Sequence, residues 1–326
     1  MATKKHQTFP RTLVIGASGL VGSRFVQLSE LFGPNTLTPS HQMLDLTSAY
    51  SLNEYIKVHK PQAIINFATV IAIDETEKQR NDTGGSSWRT NVLGVNNLIQ
   101  ASKKYNYFLI QISTNAVFPG TQKQPGPYKE SDPPSTNDRD ISWYGYTKLM
   151  AEKNIMKNLK KYAIIRISHP FGNLSSEKDM IHKTIATIKS GQEVFVDQLF
   201  TPTFIPDVVH TIDALLRYPA VGLFHVACAD VISRFDFTRH LAKILNLKEP
   251  IKQGSMKQFL SEKGHAPRTR LGGLQTTLTQ KMLGLTFTPW EQALESLDDS
   301  QGLFLCNYKS KFSIYRKIFL SPTTRA

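Results

Sequence analysis

Four short runs in the first half of the chain are mostly apolar: TLVIG (12–16), AIINFA (63–68), FLIQIS (108–113) and AIIRIS (163–168). Each has the length of a strand and is rich in Ile, Leu and Val. Runs without polar alternation suit strands buried on both faces, as in a parallel sheet. Between them lie stretches with helical spacing; in NVLGVNNLIQASKK (91–104), Val92, Val95, Leu98 and Ile99 fall on one face. A shorter strand, NTLT (35–38), fits before Asp45. Alternating strands and helices imply right-handed crossovers and an α/β, doubly wound parallel sheet with helices on both sides.

The second half is less regular. GQEVFVDQ (191–198) and GLFHVA (222–227) read as strands, and IPDVVHTIDALL (205–216) and RFDFTRHLAKIL (234–245) as helices. From about 246 to 300 the chain carries more Gly, Pro and Thr, which predicts a smaller C-terminal lobe. The expected division is a nucleotide-binding domain over 1–168, with about 204–245 returning to it, and a lobe of 169–203 and 246–326. Residues 119–140 hold five prolines and no apolar periodicity, so they predict a loop.

Composition narrows the class without fixing it. With 326 residues, 40% hydrophobic and 20% charged, the chain has ample material for a large core. Its two cysteines, Cys228 and Cys306, make no disulfide framework and suit a reducing cytoplasm. No stretch has the length of a secretory signal core or a membrane span. A net charge of +13 raises the question of nucleic acid, but the basic residues are scattered and no nucleic-acid module is present. An anionic small molecule would benefit equally from such a field. The last twenty residues, NYKSKFSIYRKIFLSPTTRA, hold five basic residues and no acidic one; a solvated tail is the first expectation, a peripheral contact the second. The nine histidines show no metal-ligand spacing.

The segment VIGASGLVGSRFV (14–26) changes the picture. Gly16, Gly19 and Gly22 fall between the first strand and first helix, a variant of the dinucleotide fingerprint. One glycine turns the chain, one admits a pyrophosphate to the backbone, and one lets helix pack on strand. With Ser18, Leu20 and Val21 they surround a helix N-terminus whose free N–H groups favour phosphate. Where a carboxylate usually grips the ribose, TLTPSHQ (36–42) offers Ser40 and His41 instead, a slight lean to NADPH over NADH. Asp45, followed by Leu46, reads either as a partner for the adenine amino group or as a helix N-cap.

In DISWYGYTKLMAEK (140–153), Tyr144 and Lys148 stand at i and i+4 and share one helix face, whereas Tyr146 points elsewhere. A free tyrosine, with a pKa near 10, is a poor acid at neutral pH. A neighbouring ammonium is expected to bring it down. QISTNAVF (111–118) places Ser113 and Thr114 after a buried strand, and ligands of open parallel sheets sit at the carboxyl ends of the strands.

In this order the segments resemble the extended short-chain dehydrogenase/reductases. The match lies in the glycine turn, INFAT (65–69), TNVLGV (90–95) around Asn91, STNAVF (113–118) and Tyr144-x-x-x-Lys148. IIRISHPFG (164–172), VDQLFTPT (196–203) and residues 268–294 extend it towards dTDP-4-dehydrorhamnose reductases and other sugar-nucleotide enzymes. The resemblance implies a Rossmann-type domain with a smaller substrate lobe, and reduction of a nucleotide-linked 4-keto sugar by NADPH or NADH. It makes Tyr144 the general acid, Lys148 its partner and a ribose ligand, and Thr114 the holder of the substrate oxygen. Phe67, Ala68 and Thr69 would lie against the cofactor. Asn91 would belong to its site, or be a plain N-cap. Asn115, Ala116, His169, Pro202 and Thr203 would build the sugar-nucleotide pocket. The chain departs from the family's pattern at Asn115 and Ala116, where Asp and Tyr are usual, and at His169, where Trp is usual. A nucleotide-sugar epimerase or dehydratase, or a non-catalytic subunit like the methionine adenosyltransferase beta subunit, are the alternatives. A homodimer is left open.

Overall fold

The computed structural model describes residues 10–297. Cys306 and the basic C-terminal tail lie outside the described residues, as does the end of the expected lobe. Its centre is a six-stranded, wholly parallel sheet. The strands are β1 (Thr12–Ile15), β2 (Thr36–Leu37), β3 (Ala63–Asn66), β4 (Phe108–Thr114), β5 (Tyr162–Ile167) and β10 (Gly222–Val226), in spatial order β10-β5-β4-β3-β1-β2. The four apolar runs all become strands of this sheet. Alternate residues feed opposite faces, as the pleat requires. Val14, Ile65, Ile110, Ile165 and Phe224 enter one core, while Leu13, Ile64, Leu109 and Ile164 enter the other.

Helices cover both faces. On the first lie α1 (Leu20–Leu28) and α8 (Ile205–Arg217), through Phe25, Val208, Ile212 and Leu215. On the second lie α2 (Ala49–His59), α5 (Gly94–Tyr105) and α6 (Trp143–Asn158), through Leu52, Ile56, Leu98, Ile99 and Ile155. The helix expected over 91–104 begins earlier: α4 (Ser86–Trp88) runs into a π-turn, Arg89–Leu93, and then into α5. Asn91 therefore sits inside a continuous helical path and caps nothing. A short α3 (Ile73–Glu77) precedes it.

The remainder is built from two-residue strands. β6 (Pro170–Phe171) pairs with β9 (Thr203–Phe204), β7 (Val194–Phe195) with β12 (Gln253–Gly254), and β8 (Leu199–Phe200) with β11 (Ile232–Ser233). With α7 (Met180–Lys189), α9 (Arg234–Ile244) and α12 (Trp290–Glu295) they enclose an aromatic core of Phe171, Phe200, Phe204, Phe237 and Trp290. α10 (Met256–Ser261) and α11 (Thr277–Leu283) complete the chain. The strand expected over 191–198 shrinks to Val194–Phe195 because Asp197 turns away to serve α10. Its carboxylate accepts from the backbone N–H of Met256 and Lys257 and from the Ser255 hydroxyl. The proline-rich segment 119–140 is a loop, yet an anchored one: Tyr128 is buried, stacks on Phe118 and exchanges backbone hydrogen bonds with the 273–275 segment.

Candidate active site

The chain leaves β1, forms β2 at one edge, and returns as β3 on the other side of β1, so the sheet has its topological switch point between β1 and β3. The glycine turn lies there. Gly16 has φ +79, and a Cβ on it would stand 2.8 Å from the backbone nitrogen of Ala68. A Cβ on Gly22 would stand 2.2 Å from the Gly16 carbonyl oxygen. These two glycines allow the turn, the third strand and α1 to meet at backbone distance. Gly19 is the N-cap of α1 and supplies no side chain, so the N–H groups at the start of α1 receive no side-chain cap. Ser18 is exposed beside them, while the Val21 side chain is turned into the core. An open helix start behind a cradle that a Cβ would fill fits a dinucleotide pyrophosphate.

The adenosine end is less defined. Ser40 and His41 are exposed on a turn. Asp45 is not a helix cap: its Oδ1 accepts from the Thr47 N–H and hydroxyl, each at 2.8 Å, while Ser48 caps α2. Leu46 is buried in the core and so offers a ligand only its backbone.

At the carboxyl end of β4 the pleat separates the two hydroxyls. Ser113 turns into the interior and donates to Glu152. Thr114 faces Tyr144, whose hydroxyl is within hydrogen-bonding reach of both Thr114 and Thr69. Tyr144 and Lys148 project from the first turns of α6, which starts cleanly because the Ser142 hydroxyl accepts from the Gly145 N–H at 3.1 Å. Both are buried, at 5% and 3% exposure. The Lys148 Nζ donates to the Ile112 carbonyl at 2.6 Å, tying the helix to β4.

The electrostatics differ from expectation. Burial pushes the Tyr144 hydroxyl up to about 12, against the pull of its bonds to Thr114 and Thr69. Lys148 does not bring it down, because its ammonium is turned to the Ile112 carbonyl. Lys148 itself is lowered to about 8 by burial, opposed by Glu152. The arrangement thus keeps the phenol protonated at neutral pH, which is the form that donates a proton.

Asn91 ties these parts together. Its Oδ1 accepts from the Thr69 hydroxyl (3.1 Å) and the Val70 N–H (2.9 Å). Its Nδ2 donates to the Val70 carbonyl and the Thr147 hydroxyl, each at 3.0 Å. The π-turn aims this one amide at both the loop after β3 and α6. Thr69, expected only to border a cofactor, is therefore also a neighbour of the tyrosine hydroxyl; its place after AIINFA was the available signal.

On the far side of the crevice Asn115 and Ala116 form a one-turn 3-10 helix directly after Thr114. His169 follows β5, two residues past Ile167, which is paired with Thr114. It holds a left-handed backbone at φ 47, a strained state for a residue with a side chain. Thr203 is fully buried: its hydroxyl accepts from the Ser168 N–H and donates to the Val226 carbonyl. It fixes the end of β5 and has no free donor for a ligand. The Pro202 carbonyl accepts from the Cys228 N–H. Among the described residues, no three His, Cys, Asp or Glu side chains gather as for a metal ion.

The profile of the RmlD substrate binding domain family matches residues 10–301. The chain belongs to this family. A dTDP-4-dehydrorhamnose reductase of Aggregatibacter actinomycetemcomitans is 24% identical over 297 residues, spanning 88% of this chain and 98% of its own. The methionine adenosyltransferase 2 subunit beta of Xenopus tropicalis is 26% identical over 254 residues, 73% of this chain and 72% of its own. Among solved structures, a dTDP-4-dehydrorhamnose reductase from Bacillus anthracis in complex with NADP superposes with a TM-score of 0.77 at 24% identity, covering 89% of this chain and 99% of that one. Asn115, Ala116 and His169, the expected departures, lie just past the ends of β4 and β5.

Proposed function

We propose that this RmlD family protein is an NAD(P)H-dependent reductase of a nucleotide-linked 4-keto sugar. The observation that carries the reading is the Tyr144 hydroxyl held by Thr114 and Thr69 at the carboxyl end of β4, with Lys148 one helical turn on. The reduced nicotinamide, when bound, supplies the hydride. Thr114 orients the substrate carbonyl oxygen, Tyr144 gives that oxygen its proton as the carbonyl carbon becomes an alcohol carbon, and Lys148, tied to the Ile112 carbonyl, would hold the cofactor's ribose. Gly16, Ser18, Gly19, Leu20 and Gly22 would hold the cofactor's pyrophosphate, with Phe67, Ala68 and Thr69 beside its nicotinamide half. NADPH is the preferred form on the absence of a carboxylate near Ser40. Asn115, Ala116, His169 and Pro202 would bound the sugar.

Asn115 stands where a dehydratase would need a carboxylate, which speaks for plain reduction. The likeness to a methionine adenosyltransferase subunit supports a second reading, a cofactor-binding subunit without turnover. We place the protein in the cytoplasm on its cysteine usage; no helix of the described residues is long and apolar enough to cross a membrane.

The test is loss of nicotinamide absorbance with NADPH and dTDP-4-dehydrorhamnose, followed by other keto nucleotide-sugars. Tyr144→Phe is expected to lower kcat by about 10²–10⁴-fold while NADPH still binds. Full activity in that variant would exclude the proposed acid. NADPH binding without reduction of any of these sugars, in a protein that retains a stable partner on pull-down, would favour the subunit.

A further inference from the structure

Arg234 opens α9 at the first helical position after its N-cap Ser233, where a cation opposes the helix dipole. Its guanidinium lies over the Phe200 ring, 5.7 Å from the centroid. One nitrogen, Nη2, donates to the Thr184 hydroxyl of α7 at 3.0 Å. The residue keeps some contact with solvent, but its Nη1 is buried and has no hydrogen-bond partner. Among the described residues no carboxylate answers the charge. Asp236, on the same helix, accepts from Ser233 and pairs with Arg239. Asp179, which caps α7, accepts from the backbone of Asn173 and Ile181.

His169 also packs on Phe200, with ring centroids 4.8 Å apart. Lys183, exposed on α7, lies near enough to repel a proton from that imidazole, as does Arg234. Burial and these two cations hold His169 down to about 3, so the ring is neutral. Arg234 and a neutral imidazole thus share one aromatic ring, with Lys183 near the imidazole, beside a strained backbone and with a buried donor left open. An unpaired buried donor next to unpaired cations costs stability unless an anion completes it.

We propose that Arg234, Lys183 and His169 form a phosphate subsite that receives the diphosphate of a nucleotide sugar. It rests on the reductase reading. The placement agrees with that reading, because His169 follows the strand position opposite Thr114 and the anion would sit on the sugar side of the reacting carbonyl. Planar guanidinium donors suit phosphate oxygens, and the Lys183 ammonium adds a point charge at the open side.

The test is calorimetric titration of the whole protein with dTDP, UDP, GDP and inorganic pyrophosphate, in wild type, Arg234→Met and Lys183→Met. The expected result is binding of a nucleoside diphosphate that weakens at least tenfold in Arg234→Met and less in Lys183→Met, with NADPH affinity unchanged. The thermal midpoint of Arg234→Met should equal or exceed that of wild type, and added diphosphate should raise the midpoint of wild type alone. Lys183→Met changes an exposed residue and keeps the test valid if Arg234→Met misfolds. Affinities within twofold of wild type in both variants, or no binding of any of the four anions, would overturn the subsite. Arg234-dependent diphosphate binding without reduction of any keto sugar removes the reductase reading and leaves the subsite standing. Reduction with an unchanged KM in Arg234→Met does the reverse.

Discussion

Two of the arginines held against aromatic rings in this molecule are treated in opposite ways. Arg166, on β5 beneath α6, is 1% exposed and fully answered. Its Nε and Nη2 donate to the two oxygens of Glu152, at 3.0 and 2.6 Å. Its Nη1 stands 3.4 Å from His225 Nε2, which accepts if the ring carries its proton on Nδ1 towards the Gln275 carbonyl. Phe118 covers its face at 4.8 Å. Arg234, at the start of α9, has an aromatic face and one hydroxyl, and nothing negative among the described residues. The first is a closed network that fixes α6 on the sheet, together with Ser113. The second is a network with a member missing. Stability and ligand binding are thus assigned to different regions of one crevice.

The largest expected effect separates them by sign. Arg166→Met should lose about 3–5 kcal/mol of stability, because it strands the Glu152 carboxylate in the interior. Urea unfolding measures it, and the same change at Arg234 should cost nothing. Equal losses at the two positions would break the contrast.

Lys148 is the intermediate case, a buried cation that can shed its charge. Its lowered value near 8 predicts that reduction slows as pH rises through 8, when the ammonium that would hold the cofactor's ribose loses its charge. Stability should move the other way. Between about pH 8 and the free-lysine value of 10.5, the unfolded chain holds a proton that the folded chain has released, so this group favours folding more as pH rises. Rate profiles and urea midpoints across that window test both, and Lys148→Met should flatten the stability trend.

The smallest effect is a neutral control on the sheet side. Ser142→Ala removes the cap of α6 and should cost about 1 kcal/mol by thermal unfolding, without altering diphosphate affinity.

The two regions also differ in how far they were legible in the sequence. The sheet was visible because its strands are continuous Ile, Val and Leu runs, and each run carries its own signal. Tyr144, Lys148 and Thr114 were visible because helical spacing and strand ends are local rules. The lobe's strands are two residues long and exist only through distant partners, such as Gln253–Gly254 for Val194–Phe195. Arg234 and Lys183 come from two helices about fifty residues apart, where arginine and lysine look like an ordinary solvated face. A cation in the first turn of α9 was the one available clue. The direction of the Tyr144 shift was missed because spacing gives proximity to a lysine but not burial, which here outweighs it.

The proline-rich loop has a consequence for engineering. Segment 119–140 lies between Thr114 and Tyr144 in sequence, and its middle is bolted to the lobe. Gly126 donates to the Leu271 carbonyl, Tyr128 to Gly273, and Gln275 back to Tyr128. A residue inserted at Gly126 would slip that register and drag on both ends of the crevice. Ser131 and Pro133 are exposed, so a tag or reporter placed there would hang from the molecule without loading the site.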